Sequence, residues 1–227
     1  MKLKASLIID FDSTLVKEET LELVAETALR FNRRKKRIQE KIRLITEQGM
    51  RGMITFSESL DKRLKLFSAT NQNIEEVKGE MANQISESFL QNKNFFQKNA
   101  GKIYVVSGGF KECVLPVAEK LAIPPENVFA NNFVYNASGG ISGVDTDNYL
   151  AQEKGKIKQV EAINIANPRC VIGDGYTDFQ IKEEGAADHF IAYTEHKRRD
   201  EVCGKADEEA KSFDEVLKAL EEFGLVK

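Results

Sequence analysis

Asp10 and Asp12 stand two positions apart, directly after the apolar run Leu7-Ile8-Ile9. A strand that delivers two carboxylates into a loop serves a core badly. It can hold a hard cation and aim an oxygen nucleophile at an electrophile. Two later apolar runs end in comparable loops: Ile103 to Val106 runs into Ser107-Gly108-Gly109, and Cys170-Val171-Ile172 into Gly173-Asp174-Gly175, with Asp178 close behind. Asp10 and Asp174 could share a magnesium ion through single oxygens, its shell completed by waters and substrate phosphate oxygens. Ser107 with the amides of Gly108 and Gly109 can cup an anion, because glycine lets the backbone approach closely. Lys154 would add a point charge to the same oxygens. Such a set balances the charge of a phosphoryl group, whose transfer depends mainly on positioning and charge stabilisation.

The elements that position these residues follow from the apolar pattern. Lys2 to Asp10 reads as a strand. From about Glu18 to Asn94 apolar residues recur at helical spacing, as in Leu21, Val24, Ala25, Ala28 and in Phe56, Leu60, Leu64, Phe67. Gly49 to Gly52 breaks that stretch, with Thr55 or Ser57 as the N-cap of the next helix. After Gly101 short apolar strands alternate with helices. Strands are expected at Ile103 to Val106, Val128 to Ala130, Phe133 to Tyr135, Ile141 to Gly143 and Cys170 to Ile172, and a last central one at Phe190 to Ala192. Helices are expected at Lys111 to Leu121, despite Pro116, and at Lys154 to Ile165 and Phe213 to Phe223. This alternation predicts an α/β fold with a doubly wound parallel sheet. In such sheets chemistry gathers at the carboxyl ends of the strands, so the three polar loops should converge. Residues 1–16 and 97–227 then form the catalytic core, and 17–96 a small helical cap, or lid, inserted after the first strand.

Composition narrows the function classes. At 227 residues with 41% hydrophobic content the chain can bury a sizeable core. A formal net charge of −3 gives no general pull toward nucleic acid or anionic membrane. No apolar run has membrane-spanning length, and the short N-terminal run, interrupted by Asp10 and Asp12, does not read as a signal peptide. Cys113, Cys170 and Cys203 lie far apart and match no disulfide or zinc spacing, which suits a cytoplasmic setting. The basic run from Arg30 to Arg43 reads as a solvated face of the lid, because aromatics for base stacking are sparse around it. The partner expected is a small-molecule phosphomonoester.

At these residues the chain resembles the haloacid dehalogenase superfamily. Asp10-Phe11-Asp12-Ser13-Thr14 is similar to its first motif, Ser107-Gly108-Gly109-Phe110 to the second, and Gly173-Asp174-Gly175-Tyr176-Thr177-Asp178 to the fourth. In Lys154-Gly155-Lys156 both lysines are candidates for the third, and the alignment selects Lys154 over Lys156. Within the superfamily the resemblance is to the phosphoserine phosphatase branch, through Lys17-Glu18-Glu19 and through Phe56 and Arg63, seven apart. It spans about residues 5 to 180.

The resemblance implies a Rossmann-like core and a set of roles. Asp10 is the nucleophile that forms an aspartyl-phosphate, and Asp12 is the general acid and then base. Magnesium is held by the Asp10 and Asp174 carboxylates and the Asp12 carbonyl. Ser107, Gly108 and Lys154 bind phosphoryl oxygens, and Asp178 orients the metal shell or Lys154. Thr177 lies beside the substrate. In the lid, Glu19 meets a substrate ammonium, Arg63 its carboxylate, and Phe56 its methylene. The activity implied is magnesium-dependent phosphomonoester hydrolysis, with O-phosphoserine the leading substrate. The alternatives are another small amine or alcohol phosphate, a phosphoryl acceptor other than water, or a non-catalytic phospho-ligand or receiver module. Against this background Asp10 and Asp12 could be turn formers, Ser107-Gly108-Gly109 a tight turn, Glu19 and Arg63 solvated, and Phe56 lid core. The four motifs in order favour the functional reading. Two departures, the longer basic lid and Gln152-Glu153 ahead of Lys154, fall where the substrate is read.

Overall fold

The computed structural model describes all residues from Met1 to Lys227. In chain order the elements are β1 (Ser6–Ile9), α1 (Thr20–Ala28), α2 (Lys35–Met50), α3 (Phe56–Leu64), α4 (Asn71–Met81), α5 (Glu87–Gln91) and α6 (Lys93–Asn99). Then come β2 (Ile103–Phe110), α7 (Lys111–Lys120), β3 (Val128–Asn131), β4 (Phe133–Tyr135), β5 (Ile141–Val144), α8 (Gly155–Ala162), β6 (Arg169–Gly173) and α9 (Tyr176–Glu183). The chain closes with β7 (His189–Tyr193), α10 (Asp200–Cys203), β8 (Glu208–Ala210) and α11 (Phe213–Glu222). Six strands form one parallel sheet in the order β3-β2-β1-β6-β7-β8. The order reverses at β1, which lies between β2 and β6, so the crevice beyond its carboxyl end is the natural place for a ligand. β4 and β5 pair separately as an antiparallel hairpin.

The central strands are apolar throughout because both sheet faces are covered. Leu7, Ile9, Cys170, Ile172, Ile191 and Tyr193 point to one face, into a core shared with α5, α6, α7 and α11. Ile8, Val106, Val171, Phe190 and Ala192 point to the other, against Ile157, Val160, Ile181 and Val202 of α8, α9 and α10. The alternation along each strand is the two-residue period of the pleat. The α/β fold with its doubly wound parallel sheet is therefore as the pattern predicts.

Five elements differ from expectation, two of them helices the pattern did not mark, α9 and α10. β2 runs on to Phe110 through the Ser107-Gly108-Gly109 segment, with a register irregularity against β3. β8 has no counterpart in the apolar pattern, which Glu208-Glu209-Ala210 lacks; as the outermost strand it needs little. α8 begins at Gly155, leaving Lys154 outside it. As expected, α7 continues past Pro116, from Lys111 to Lys120.

Between β1 and β2 every regular element is a helix. Ala25, Leu29 and Ile42 form a small core of their own with Ile38, Leu66 and Phe67, while Ile74, Val77 and Met81 of α4 join the main core. The two stretches of chain that lead into and out of this region pair with each other: Val16 bridges Ile85, and Lys17 N donates to Gln84 O at 2.9 Å. Beyond that pair, Phe89, Phe95 and Phe96 pack against Phe213 with ring centroids 4.8 to 5.5 Å apart, so α5 and α6 sit on the sheet. Within the basic run, Arg33, Arg34, Lys36 and Arg37 are exposed, and Lys35 and Arg43 pair with Glu26 and Glu22. No helix is long and apolar enough to cross a membrane.

Candidate active site

β1 ends at Ile9 and the chain turns tightly through Phe11–Leu15, closed by Val16 N donating to Phe11 O at 3.1 Å. Ser13 takes a left-handed conformation there (φ 56°), a strained choice for a residue with a Cβ. The turn aims two carboxylates differently. Asp10 is 4% exposed, and its Oδ1 accepts from Phe11 N at 2.7 Å and meets Lys156 Nζ at 2.8 Å. Asp10 Oδ2 takes part in neither contact. Asp12 is half-buried, and its Oδ1 accepts from Thr20 N at 2.9 Å and Thr20 Oγ1 at 2.5 Å.

Asp174 follows directly on the end of β6, and Asp178 lies in the first turn of α9. One carboxylate oxygen from each of Asp10, Asp174 and Asp178 lies within 4.8 Å of the others. Three buried acids converging this closely fit a hard divalent cation with oxygen ligands. Burial pushes Asp10 up to about 7, with Asp178 adding to it and Lys156 opposing. Asp174 is pushed up to about 6, again chiefly by burial, with Arg199 opposing. A bound divalent cation would favour the charged forms. The Asp12 carboxylate, turned toward Thr20, is not part of this cluster. Burial first and Glu19 second hold it well above the ordinary carboxylate range.

On β2 the Ser107 hydroxyl is fully buried and accepts from Gly109 N at 2.8 Å. Asn131 of β3 donates from Nδ2 to Gly108 O at 2.9 Å and steadies this segment. The Phe56 ring from α3 lies against Gly108 so closely that a methyl group there would stand 2.5 Å from it. Gly108→Ala should therefore push Phe56 and its helix outward. Since a displacement of about 1 Å can cost on the order of 100-fold, we expect a rise in KM of roughly tenfold or more, against a smaller fall in kcat. Steady-state kinetics with an unchanged circular dichroism spectrum check it.

The third-motif lysine is a correction. Lys154, selected at the sequence level, is turned to the surface, where its Nζ meets Glu184 Oε1 at 2.5 Å. Lys156, 7% exposed, enters the site instead and bonds Asp10 at 2.8 Å and Asp178 at 2.7 Å. The reason is where α8 starts. Lys154 precedes it in a left-handed conformation (φ 54°) that turns its side chain to the surface, while Lys156 lies in the first turn of the helix and faces the acids. Gly155 permits the approach: a Cβ there would sit 2.1 Å from Tyr149 O. Asp178 orients Lys156, not Lys154, and also accepts from Gly175 N at 3.1 Å.

The helical insertion brings its own residues to the same cleft. Glu19, Phe56 and Arg63 line a cavity of about 460 Å³ together with Asp10, Asp12, Gly108, Lys156 and Thr177. Glu19 is 5% and Arg63 6% exposed, so neither is the solvated side chain that the bland reading allows. A second, open cleft of about 690 Å³, also bordered by Phe56, Gly108, Lys156 and Thr177, leads from this site toward Lys154 and Tyr176.

The loop after β7 adds two residues that sequence reasoning missed. Arg199, 3% exposed, bonds the Asp174 carboxylate and holds Glu47 of α2 through two contacts of 3.2 and 3.0 Å. Lys197 meets Glu19 at 3.3 Å. The signal was available: β7 is a parallel strand like β1, β2 and β6, and the loop at its carboxyl end belongs with theirs.

This arrangement joins a buried carboxylate at the end of the central strand, a second carboxyl beside it, a glycine-rich turn with a buried hydroxyl, a buried lysine and a cluster of three acids. The family model for haloacid dehalogenase-like hydrolases matches residues 7–183, and the chain belongs to that family; it is a phosphoric monoester hydrolase. A chloroplastic phosphoserine phosphatase from Arabidopsis thaliana is 32% identical over 93% of this chain and 70% of its own length. A phosphoserine phosphatase from Bos taurus is 28% identical over 94% and 92%. Among solved structures, a phosphoserine phosphohydrolase-like protein from Francisella tularensis superposes with a TM-score of 0.87 at 35% identity, covering 95% of this chain and 99% of that one.

Proposed function

We propose that the protein hydrolyses O-phosphoserine to serine and inorganic phosphate, using magnesium and an aspartyl-phosphate on Asp10. The observation that carries this reading is Asp10 itself. It is buried at the carboxyl end of the central strand, with Oδ1 held by Phe11 N and Lys156 Nζ and Oδ2 outside both contacts. Oδ2 attacks phosphorus as the ester oxygen departs, and Asp12 gives that oxygen its proton. In the second half, water attacks the same phosphorus, Asp12 takes its proton, and Asp10 leaves as a carboxylate. The Asp10 and Asp174 carboxylates and the Asp12 carbonyl would hold the magnesium. That ion supplies charge neutralisation at the phosphoryl oxygens. Ser107, the Gly108 amide and Lys156 bind those oxygens from the protein side.

The substrate reading rests on Glu19 and Arg63 in one cavity with the nucleophile. Arg63 would take the carboxylate, Glu19 the ammonium, Phe56 the methylene, and Thr177 would border the phosphoryl group. The lid in this reading, expected over 17–96, is the part hinged at the Val16–Ile85 bridge and latched by Arg199 on Glu47. Its closure would exclude bulk water. The setting proposed is cytoplasmic, in keeping with three free cysteines.

Purified protein with magnesium should release phosphate from O-phosphoserine. A strong chelator should lower the rate by roughly 1000-fold, since the ion carries much of the charge stabilisation, and added magnesium should restore it. Full turnover in chelator would sink the metal reading. Turnover of an aryl phosphate but not of phosphoserine would sink the substrate reading alone.

A further inference from the structure

Glu19 and Arg63 face the same cavity but are not equally available. The Arg63 guanidinium is buried, yet finds only neutral acceptors: Ser59 O at 3.3 Å and Thr46 Oγ1 at 3.4 Å. A buried guanidinium without an ion-pair partner is a receptor for an anion. Glu19 is already partnered. Its Oε1 accepts from Ser13 Oγ at 2.8 Å and from Lys197 Nζ at 3.3 Å. Lys197 comes from the loop after β7, is one-third exposed, and lies 3.8 Å from Glu47 as well. Burial alone would raise the Glu19 carboxyl; the Lys197 ammonium first, then the Ser13 hydroxyl and the more distant Arg199 and Arg63 guanidiniums, together more than offset it and hold Glu19 below the ordinary range.

We infer that Lys197 is a specificity-determining residue that stands in for the substrate ammonium at Glu19, so that the site also hydrolyses phosphomonoesters carrying a carboxylate but no α-amine. The inference rests on the phosphoserine reading of this cavity. Its physical basis is what a missing amine would leave behind. In a pocket where Glu19 had no protein partner, an amine-free substrate would bury an uncompensated carboxylate, and sites reject ligands strongly on that ground. Here Glu19 keeps an ammonium neighbour whether or not the ligand brings one. Neither the Ser13 nor the Lys197 contact uses Oε2, so an amine can still bind. The bond changes are those of the parent reaction. Water cleaves the phosphate ester, phosphate leaves, and the ester oxygen receives a proton to give a hydroxy acid in place of serine.

The test compares kcat/KM for O-phospho-L-serine with that for phosphorylated β-hydroxypropionate, which has hydrogen where phosphoserine has its amine. It uses the wild-type protein, Lys197→Met and Lys197→Arg. The wild type should favour phosphoserine by no more than about tenfold, and Lys197→Met should widen that ratio by about tenfold or more through the KM of the amine-free ester. Lys197→Arg should keep the wild-type ratio, and the circular dichroism spectrum and melting temperature should hold in all three, which separates an effect at Glu19 from a disturbed fold. A wild-type preference beyond roughly 100-fold, or a ratio that Lys197→Met does not move, overturns the inference while phosphoserine turnover stands. An aryl phosphate turned over while both carboxylate esters are refused overturns the inference and the phosphoserine reading together.

Discussion

Asp10→Asn should abolish turnover, with phosphate release falling roughly 10⁵-fold because the amide is no nucleophile and the residual rate comes from binding alone. The fold should survive. An asparagine can keep its carbonyl oxygen where Asp10 Oδ1 now accepts from Phe11 N and Lys156 Nζ, placing its NH₂ where Oδ2 was. Burial first and Asp178 second push the Asp10 carboxyl upward, and a neutral amide relieves both, so the melting temperature should hold or rise. Steady-state phosphate release and a thermal melt on the same preparation check both halves. A variant that melts normally yet retains a tenth of wild-type turnover would remove Asp10 from the reaction. In the wild type, a beryllium fluoride adduct should form on Asp10 Oδ2, the oxygen outside those two contacts.

The parts of this site legible in the sequence are those where a short apolar run meets a polar loop. Leu7-Ile8-Ile9 and Cys170-Val171-Ile172 are apolar at every position because both faces of β1 and β6 are covered. Such runs announce central parallel strands, and their carboxyl ends announce Asp10, Asp12 and Asp174. What stayed hidden depends on geometry finer than pattern. The start of α8 separates Lys154, which lies before it and pairs with Glu184, from Lys156, which lies in its first turn and pairs with Asp10 and Asp178. No periodicity fixes where α8 starts, since the left-handed turn at Lys154 and the Tyr149 carbonyl against Gly155 decide it. Arg199 and Lys197 sit in a run of charged residues that reads as solvated surface, and only the neighbouring strand order turns that loop inward. Glu208-Glu209-Ala210 forms an outermost strand without any apolar signature, as strands at sheet edges can.

The residues of α3 illustrate the same limit from the other side. Phe56 and Arg63 lie on one helix, seven residues apart, and nearly two full turns return them to one face. The pattern thus identifies a shared face. The partner of that face is set by contacts between distant segments: Phe56 on Gly108, and α2 held to the core by Glu47 on Arg199. Arg199 touches Asp174 as well, so a single guanidinium connects the acid cluster to α2.

Lys156→Ala should cost both activity and stability, whereas Lys154→Ala should cost neither. Lys156 is the cation between two buried carboxylates, 2.8 Å from Asp10 and 2.7 Å from Asp178. Removing one partner of a buried ion pair leaves an uncompensated charge, which typically costs about 3–5 kcal/mol. Here two acids lose their partner, although burial already pushes both carboxyls upward and Asp10 to about 7, so the lower end of that range is expected. Turnover should fall by roughly 1000-fold, the scale seen when a preorganised charge-stabilising donor is removed. Protonation of Asp10 would add to that loss by consuming the nucleophile. Lys154 is exposed and paired only with Glu184, and exposed pairs of this kind contribute little. Its alanine variant should therefore match the wild type in melting temperature and lie within about twofold in kcat/KM. Urea unfolding and phosphate release on the two variants side by side decide the matter. If Lys154→Ala is the damaged one, the start of α8 is rotated so that Lys154 faces the acids, and the assignment of the phosphate-binding lysine reverses.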